Sequence, residues 1–285
     1  MFLFKKVADL QRYVQSLQKA NQTIGFVPTM GALHTGHVSL IEAARKATDV
    51  VVCSIFVNPT QFNDPKDLEK YPRTETHDIE ILVKAQCDIL FLPTISEIYP
   101  PDINTTLQID FGALETVMEG AFRPGHFRGM AQVVNRLLQI VQPQQLFMGQ
   151  KDFQQVAIVQ NMLRQQQSPV KLIMCPTLRE PNGLAMSSRN VRLLPTVREH
   201  AAIIYKTLSE TKENINTQPI AKLQHDAMQA LAAVPMFRPE YVEIVDGNTL
   251  QPISSQNESM YIVACIATWA GDVRLIDNMI LKSPK

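Results

Sequence analysis

Two histidines three residues apart, His34 and His37, bracket Gly36 in the run Pro28-Thr29-Met30-Gly31-Ala32-Leu33-His34-Thr35-Gly36-His37. The run joins an apolar stretch at 23–27, read as a strand, to a helical pattern at 38–47. Such a turn presents a helix N-terminus, whose unpaired amides and positive dipole end favour anions. Gly36 lets a phosphate come close to the backbone. The spacing therefore reads as an H-x-G-H nucleotide signature with a nucleoside triphosphate as ligand. The alternative is that both histidines cap or pack locally.

Three further polar clusters follow apolar runs. They are Val57-Asn58-Pro59-Thr60-Gln61-Phe62, Met148-Gly149-Gln150-Lys151-Asp152-Phe153-Gln154-Gln155, and Met186-Ser187-Ser188-Arg189-Asn190. Lys151 and Arg189 are permanent cations, Ser187 and Ser188 are donors, and imidazoles beside phosphates are drawn towards imidazolium. Together they can hold a triphosphate, and in phosphoryl or nucleotidyl transfer the protein's work is positioning and charge neutralisation. No protein nucleophile is required. Gln61 and Gln155, with Asn58 nearby, are neutral amides able to orient a hydroxy acid without pairing with its carboxylate, which stays free to attack.

The elements that must position these groups alternate along the chain. An amphipathic helix with Val7, Leu10, Val14 and Leu17 on one stripe ends near Asn21. Apolar runs at 24–27, 50–57, 89–92, 146–148 and 170–174 suit strands covered on both faces, and helical patterns lie between them at 38–47, 74–86, 127–141 and 152–165. This is the strand-helix repeat of a doubly wound, Rossmann-like α/β domain, which places ligands at the carboxyl ends of its strands. Beyond Asn190 the pattern changes to helices at 195–213 and 220–232 and strands at 241–245, 260–268 and 273–278, a smaller α+β domain. The expected division is 1–180 and 181–285, with the second domain on the lid side of a cleft and 186–190 within it.

With 285 residues, 45% apolar and 19% charged, the chain reads as globular with room for a substantial core. Lys plus Arg and Asp plus Glu both number 27, so the overall charge advertises neither nucleic acid nor an anionic membrane. Cys53, Cys87, Cys175 and Cys265 are far apart and read as buried thiols. No stretch reaches the length of a membrane span, and the N-terminus lacks a leader pattern, so the expected compartment is the cytoplasm.

The clusters above, together with Arg123-Pro124-Gly125-His126-Phe127-Arg128-Gly129 and Gly271-Asp272-Val273-Arg274-Leu275-Ile276-Asp277-Asn278, resemble the pantothenate synthetase (pantoate–beta-alanine ligase) family in order and spacing along nearly the whole chain. The resemblance implies that ATP and (R)-pantoate form pantoyl adenylate, from which beta-alanine displaces AMP to give pantothenate. Residue by residue it implies that ATP is held by Met30, Gly31, Ala32, Leu33, His34, Thr35, Gly36 and His37, by Gly149, Gln150, Lys151 and Asp152, and by Leu178, Met186, Ser187, Ser188 and Arg189. Gln61 and Gln155 would hold pantoate, and Gln61 also beta-alanine. His37 takes the proton-donor role, with His34, Lys151 and Arg189 as the other catalytic groups. Magnesium is implied with ATP, bound mostly through phosphates and water, with Asp78 as a candidate ligand. A homodimer is implied as well. Asn182 replaces the Asp common in the family, and Val273 a Thr; neither falls on a phosphate or pantoate contact.

Two other readings of the motif remain at this level. A nucleotidyltransferase keeping the nucleotide in its product would want cations, not amides, for an acceptor phosphate. An aminoacyl-tRNA synthetase would want an anticodon-binding module. A third, from a different class, is a nucleotide-binding regulator without turnover. The segment 63–73, polar and bounded by prolines after Gln61, reads as a lid over the intermediate.

Overall fold

A computed structural model describes residues 1–62 and 65–284, with the side chains of 65–67 left aside; Asn63 and Asp64 of the lid reading lie outside the described residues. In chain order come β1 (Phe2–Phe4), α1 (Val7–Lys19), β2 (Ile24–Thr29), α2 (Thr35–Ala47), β3 (Val50–Ile55), α3 (Pro65–Lys70), α4 (Glu75–Lys84), β4 (Ile89–Phe91) and α5 (Ile95–Ile98). They are followed by α6 (Glu119–Phe122), α7 (His126–Val141), β5 (Gln145–Gly149), α8 (Phe153–Gln165) and β6 (Lys171–Cys175). The last part holds α9 (Pro195–His200), α10 (Ala202–Asn214), α11 (Ile220–Ala232), β7 (Phe237–Asp246), β8 (Ile262–Ala270) and β9 (Val273–Lys282).

The first six strands form a parallel sheet in the order β1-β4-β3-β2-β5-β6. All six residues of β3 are buried, as a strand covered by helices on both faces requires. From β2 the chain winds outward through β3 and β4, then returns to the other side of β2 with β5. The winding reverses between β2 and β5, and that is where such sheets open a crevice beyond their carboxyl ends. The turn carrying His34 and His37 leaves β2 there, and the turn carrying Lys151 leaves β5. α7 covers this region with eleven of its sixteen residues buried, among them Phe127, Met130, Val134, Leu137 and Val141. The four cysteines are buried and free.

The three C-terminal strands form an antiparallel sheet with β8 in the middle. Its residues alternate between two cores: Val263, Cys265 and Ala267 pack with α7 and α8 of the first part, while Ile262, Ala264 and Ile266 pack with α10 and α11. The small sheet thus shares a core with the large one instead of hanging from it by a linker. Arg274 on β9 reinforces the seam, donating to both carboxylate oxygens of Glu119 on α6 at 2.8 and 2.6 Å and to Glu240 at 2.7 Å. Tyr241 also donates to Glu119, at 2.9 Å. Burial raises the Glu119 pKa, but Arg274 outweighs it and holds the carboxyl below its usual range.

Three differences from the sequence reading stand out. β1, a three-residue edge strand paired with β4, has no periodicity to reveal it. The helix expected at 195–213 breaks at Ala201. β2 runs on through Pro28 to Thr29, because Pro28 is paired in parallel with Ser54 by register and brings the histidine turn one step further out.

Glu119→Gln removes one charge of a desolvated pair while keeping its shape, and denaturant unfolding at neutral pH should show a loss of about 3 kcal/mol. Because the native carboxyl titrates below its unfolded value, that loss is fully present above the ordinary carboxylate range. It should shrink as pH falls through the folded value.

Candidate active site

His34 is the N-cap of α2, its backbone extended at φ −142° and ψ 175°. Its Nδ1 accepts the Gly36 N–H at 3.1 Å, and the Nδ1 of His37 accepts the N–H of His34 at 3.2 Å. The rings lie with centroids 4.1 Å apart. A Cβ on Gly36 would come within 2.8 Å of the His34 ring, so glycine is needed here for the ring's seat. The amides of the turn are likewise engaged. Gly31 donates to Thr29 Oγ1 at 3.2 Å, and Ala32 and Leu33 donate to the two oxygens of Asp78 at 3.0 and 2.8 Å. Gly31 and Ala32 have φ of 82° and 49°, a left-handed bend that the Asp78 bonds hold in place.

These contacts bear on two expectations. The amides at the start of α2 are largely bonded within the turn, Gly36 to His34 Nδ1 and His37 and Val38 to the His34 carbonyl, with Gly36 and both imidazoles on the cavity. Both the local-capping reading and the ligand reading of the histidines are compatible with this geometry, because each ring caps through Nδ1 and leaves Nε2 over. Asp78, 1% exposed, also accepts from Thr74 Oγ1 at 3.1 Å, so its carboxylate is occupied in holding the turn.

The rings are neutral in the ligand-free protein. Burial, then the charge of Lys151, lowers the His34 pKa to about 4; burial, then His34, lowers that of His37 to about 3. The caps act in the same direction, since a proton on Nδ1 would face a backbone N–H. With each Nδ1 lone pair occupied, the neutral proton sits on Nε2. Imidazolium was expected only beside bound phosphates, and the ligand-free rings start from the neutral form.

Lys151 follows β5 on a short 3-10 turn, Gln150–Asp152, and lies 3.5 Å from the Asp152 carboxylate. Burial raises the Asp152 pKa, but Lys151 and then Arg189 outweigh it and hold the carboxyl below its usual range. The turn is clamped from β9: Asn278 Nδ2 donates to the carbonyls of Gln150 and Lys151, both at 2.9 Å, and Gln150 Nε2 returns a bond at 3.2 Å. Asp277 beside it is salt-bridged to Arg179. Opposite, Ser187 caps the turn Ser188–Arg192 by accepting the Arg189 N–H at 3.2 Å.

Gln61 is 7% exposed, with its Nε2 3.1 Å from Met30 Sδ and its Oε1 accepting from Asn58 at 3.3 Å. Asn58 also donates to Gly129 O and accepts from Tyr99, so it is the frame of the Gln61 turn and not a free ligand. Gln155 stands half-buried on the first turn of α8 with its side chain on the cavity.

Met30, His34, Gly36, His37, Gly149, Lys151, Asp152, Leu178, Ser187, Ser188 and Arg189 line one cavity of about 680 Å³, as do Met186, Gln61 and Gln155. Gly31, Ala32, Leu33, Thr35 and Gln150 shape its wall without lining it. Lys70 and Tyr71, from the segment read as a lid, border it too, and Tyr71 is hydrogen-bonded to Ser188. Sequence reasoning missed Glu119, Asn278 and His126 as parts of this site, although Asn278 and His126 lie in motifs it had singled out.

A histidine-capped helix at the switch point of a parallel sheet, faced by cationic loops, defines a nucleotide-binding α/β enzyme of the H-x-G-H type. The cavity extends from its cations to two neutral amide side chains, Gln61 and Gln155. The chain belongs to the pantoate-beta-alanine ligase family, whose model matches residues 2–280. It is 47% identical over 280 residues to a pantothenate synthetase of Azobacteroides pseudotrichonymphae, covering 98% of this chain and 99% of that protein. It is 46% identical to the Bacteroides fragilis enzyme, covering 98% of each. The crystal structure of pantothenate synthetase from Thermus thermophilus superposes with a TM-score of 0.92 at 40% identity, covering 100% of both chains. That of the Francisella tularensis ligase, complexed with beta-gamma ATP and beta-alanine, superposes at 0.80 with 37% identity, covering 99% of this chain and 98% of that one.

Nitrogen-15 NMR of the imidazoles should show His34 and His37 as Nε2–H tautomers at pH 7, with no titration between pH 8 and 6 in the ligand-free protein. A midpoint near 6.5 at either ring would contradict the capping geometry.

Proposed function

We propose that this cavity carries out both halves of an ATP-dependent ligation of (R)-pantoate to beta-alanine, giving pantothenate, AMP and diphosphate through pantoyl adenylate. The observation that carries this reading is the juxtaposition of a cation-lined phosphate wall with a neutral amide end, Gln61 and Gln155, in one cavity. In the first half a pantoate carboxylate oxygen attacks the α-phosphorus of ATP, and the bond to the pyrophosphate oxygen breaks. The amides orient the hydroxy acid without neutralising the attacking oxygen, while Lys151, Arg189, Ser187 and Ser188 receive the charge that gathers on the departing phosphates. In the second half the free amine of beta-alanine attacks the acyl carbon, AMP leaves, and the amine proton passes to solvent.

His34 and His37 serve as neutral Nε2–H donors to the phosphates. His37 then stabilises the leaving pyrophosphate by a preformed hydrogen bond, which narrows the proton-donor role carried over from the family. Magnesium comes with the triphosphate: among the described residues no three His, Cys, Asp or Glu gather as a resident site, and a phosphate-bound ion retaining water fits that arrangement. It supplies charge neutralisation on the phosphates. Tyr71, against Ser188, supports the reading of 63–73 as a lid, and the division at 1–180 and 181–285, with a cleft between the Gln61 and Ser187 walls, is part of the same proposal. Among the described residues no helix is long and apolar enough to cross a membrane, which accords with a cytoplasmic enzyme. A homodimer, tested by sedimentation, completes the reading.

Pantoate-dependent ATP–pyrophosphate exchange without beta-alanine, and equal AMP and pantothenate with it, is the expected outcome when components are omitted in turn. ATP binding without turnover would support the regulator instead. His37→Ala should lower exchange by about 10²-fold or more while costing about 1 kcal/mol of stability through the lost cap.

A further inference from the structure

The two loops that bring Lys151 and Arg189 to the cavity come from distant parts of the chain, one at Gln150–Asp152 after β5 and one at Ser188–Arg192 beyond β6. Both are tied to a single dipeptide of β9, Asp277-Asn278. Successive side chains of a strand point to opposite faces. Asn278 lies on the face of Ile276 and Ile280, which pack on the core containing α7 and α8, and Asp277 on the face of Leu275, which packs with α10 and α11. One side chain is thereby sent to each loop.

From the first face, Asn278 Nδ2 donates to the carbonyls of Gln150 and Lys151, and its Oδ1 accepts from Gln150 Nε2. From the second, Asp277 accepts from Arg179 through both carboxylate oxygens, at 2.5 and 3.1 Å. Arg179 belongs to the small hairpin that leads into Ser187. It is bridged to Ala185 across that hairpin, and the Met186 N–H returns to the Leu178 carbonyl at 3.0 Å. The guanidinium also donates to the Gly183 carbonyl at 3.1 Å and lies 4.2 Å from the ring centre of Tyr205. Gly183, at φ 93°, has its flank against the same ring, where a Cβ would come within 2.6 Å. The position of Asp277 therefore decides where the hairpin stands, and with it Ser187 and its cap on the Arg189 N–H. The Asn278 N–H donates to Asp277 Oδ1 at 2.8 Å, which holds the two halves of the dipeptide relative to each other. Both residues are buried, at 4% and 3% exposure, so these bonds are shielded from water.

We propose that Asp277-Asn278 is a spacer that sets the separation of the Lys151 turn from the Ser187–Arg189 loop, so that the two loops act on a triphosphate as one unit. This rests on the ligation reading above. Charge on the departing phosphates is then shared between the loops, and an error of about 1 Å in the placement of one costs about 10²-fold in rate. Asp277 and Asn278 are positioning residues, one acting through Arg179 and the other through the backbone of Lys151.

The test reads the first half-reaction. In Asn278→Ala, kcat for pantoate-dependent ATP–pyrophosphate exchange, counted per folded molecule, should fall about 30-fold, while KM for pantoate stays within about twofold of the parent. A contact that served stability alone would lower the melting temperature and leave kcat per folded molecule unchanged. Arg179→Gln combined with Asp277→Asn removes the ion pair without leaving either charge buried alone, and should bring a loss of similar size. Because the links act in series, joining all three substitutions should cost no more than about threefold beyond the larger of the two losses. Asn278→Ala should likewise cost less than about threefold in a Lys151→Ala background, where the group it positions is gone. Parental kcat per folded molecule in either variant that folds would overturn the proposal, as would losses that multiply in the combined variant or on top of Lys151→Ala. Absence of exchange in the parent enzyme would instead remove the ligation reading itself, a result recognisable before any variant is made.

Discussion

The site depends on how the N-terminus of α2 is closed. Two imidazoles share the work, each accepting a backbone N–H through Nδ1, and a helix start that would otherwise offer its amides to a ligand offers two ring Nε2–H groups instead. The consequences run in order from this exchange. Gly36 must be glycine because a ring occupies its flank, the rings must be neutral because their Nδ1 lone pairs are in use, and formal positive charge must come from other loops. Lys151 and Arg189 provide it. A neutral donor set beside two fixed cations can strengthen its hold on phosphate as charge builds without needing to protonate anything.

Fixing Lys151 is the work of the second sheet. Asn278 grips the backbone on either side of Lys151, and Asp277 is paired with Arg179, so β9 reaches into the first part of the chain as a scaffold for the phosphate loop. The shared core explains how three strands can do this: alternate faces of β8 belong to different hydrophobic clusters, so the sheet is wedged between the helices of both parts. The Gln61 turn is framed in a similar way, held from beneath by Asn58 and His126.

Much of this was legible in the sequence. Unbroken apolar runs located the parallel strands, the stripe on α7 located its buried face, and convergence of polar clusters after strands located the cavity. What was not legible has a common cause: it rests on contacts between distant residues. Glu119 lies in a region without periodicity and meets Arg274 only because β9 folds back across α6. Asn278 ends a motif that could be quoted but not explained, since its partners are 127 and 128 residues away. The histidines show the subtler failure. Their spacing announced a helix start that does face the cavity, but the direction of each ring, and hence its tautomer and charge, is decided by which backbone N–H lies within reach.

The central claim, that an acid's own oxygen attacks the α-phosphorus in this cavity, is tested most directly by isotope transfer. Pantoate labelled with oxygen-18 in its carboxylate, turned over with ATP, magnesium and beta-alanine, should deliver one labelled oxygen to each AMP, with none in the diphosphate. AMP free of label, with both labelled oxygens retained by the organic acid or label appearing in a phosphate product other than AMP, would contradict the adenylate route and the assignment of the phosphate wall built on it.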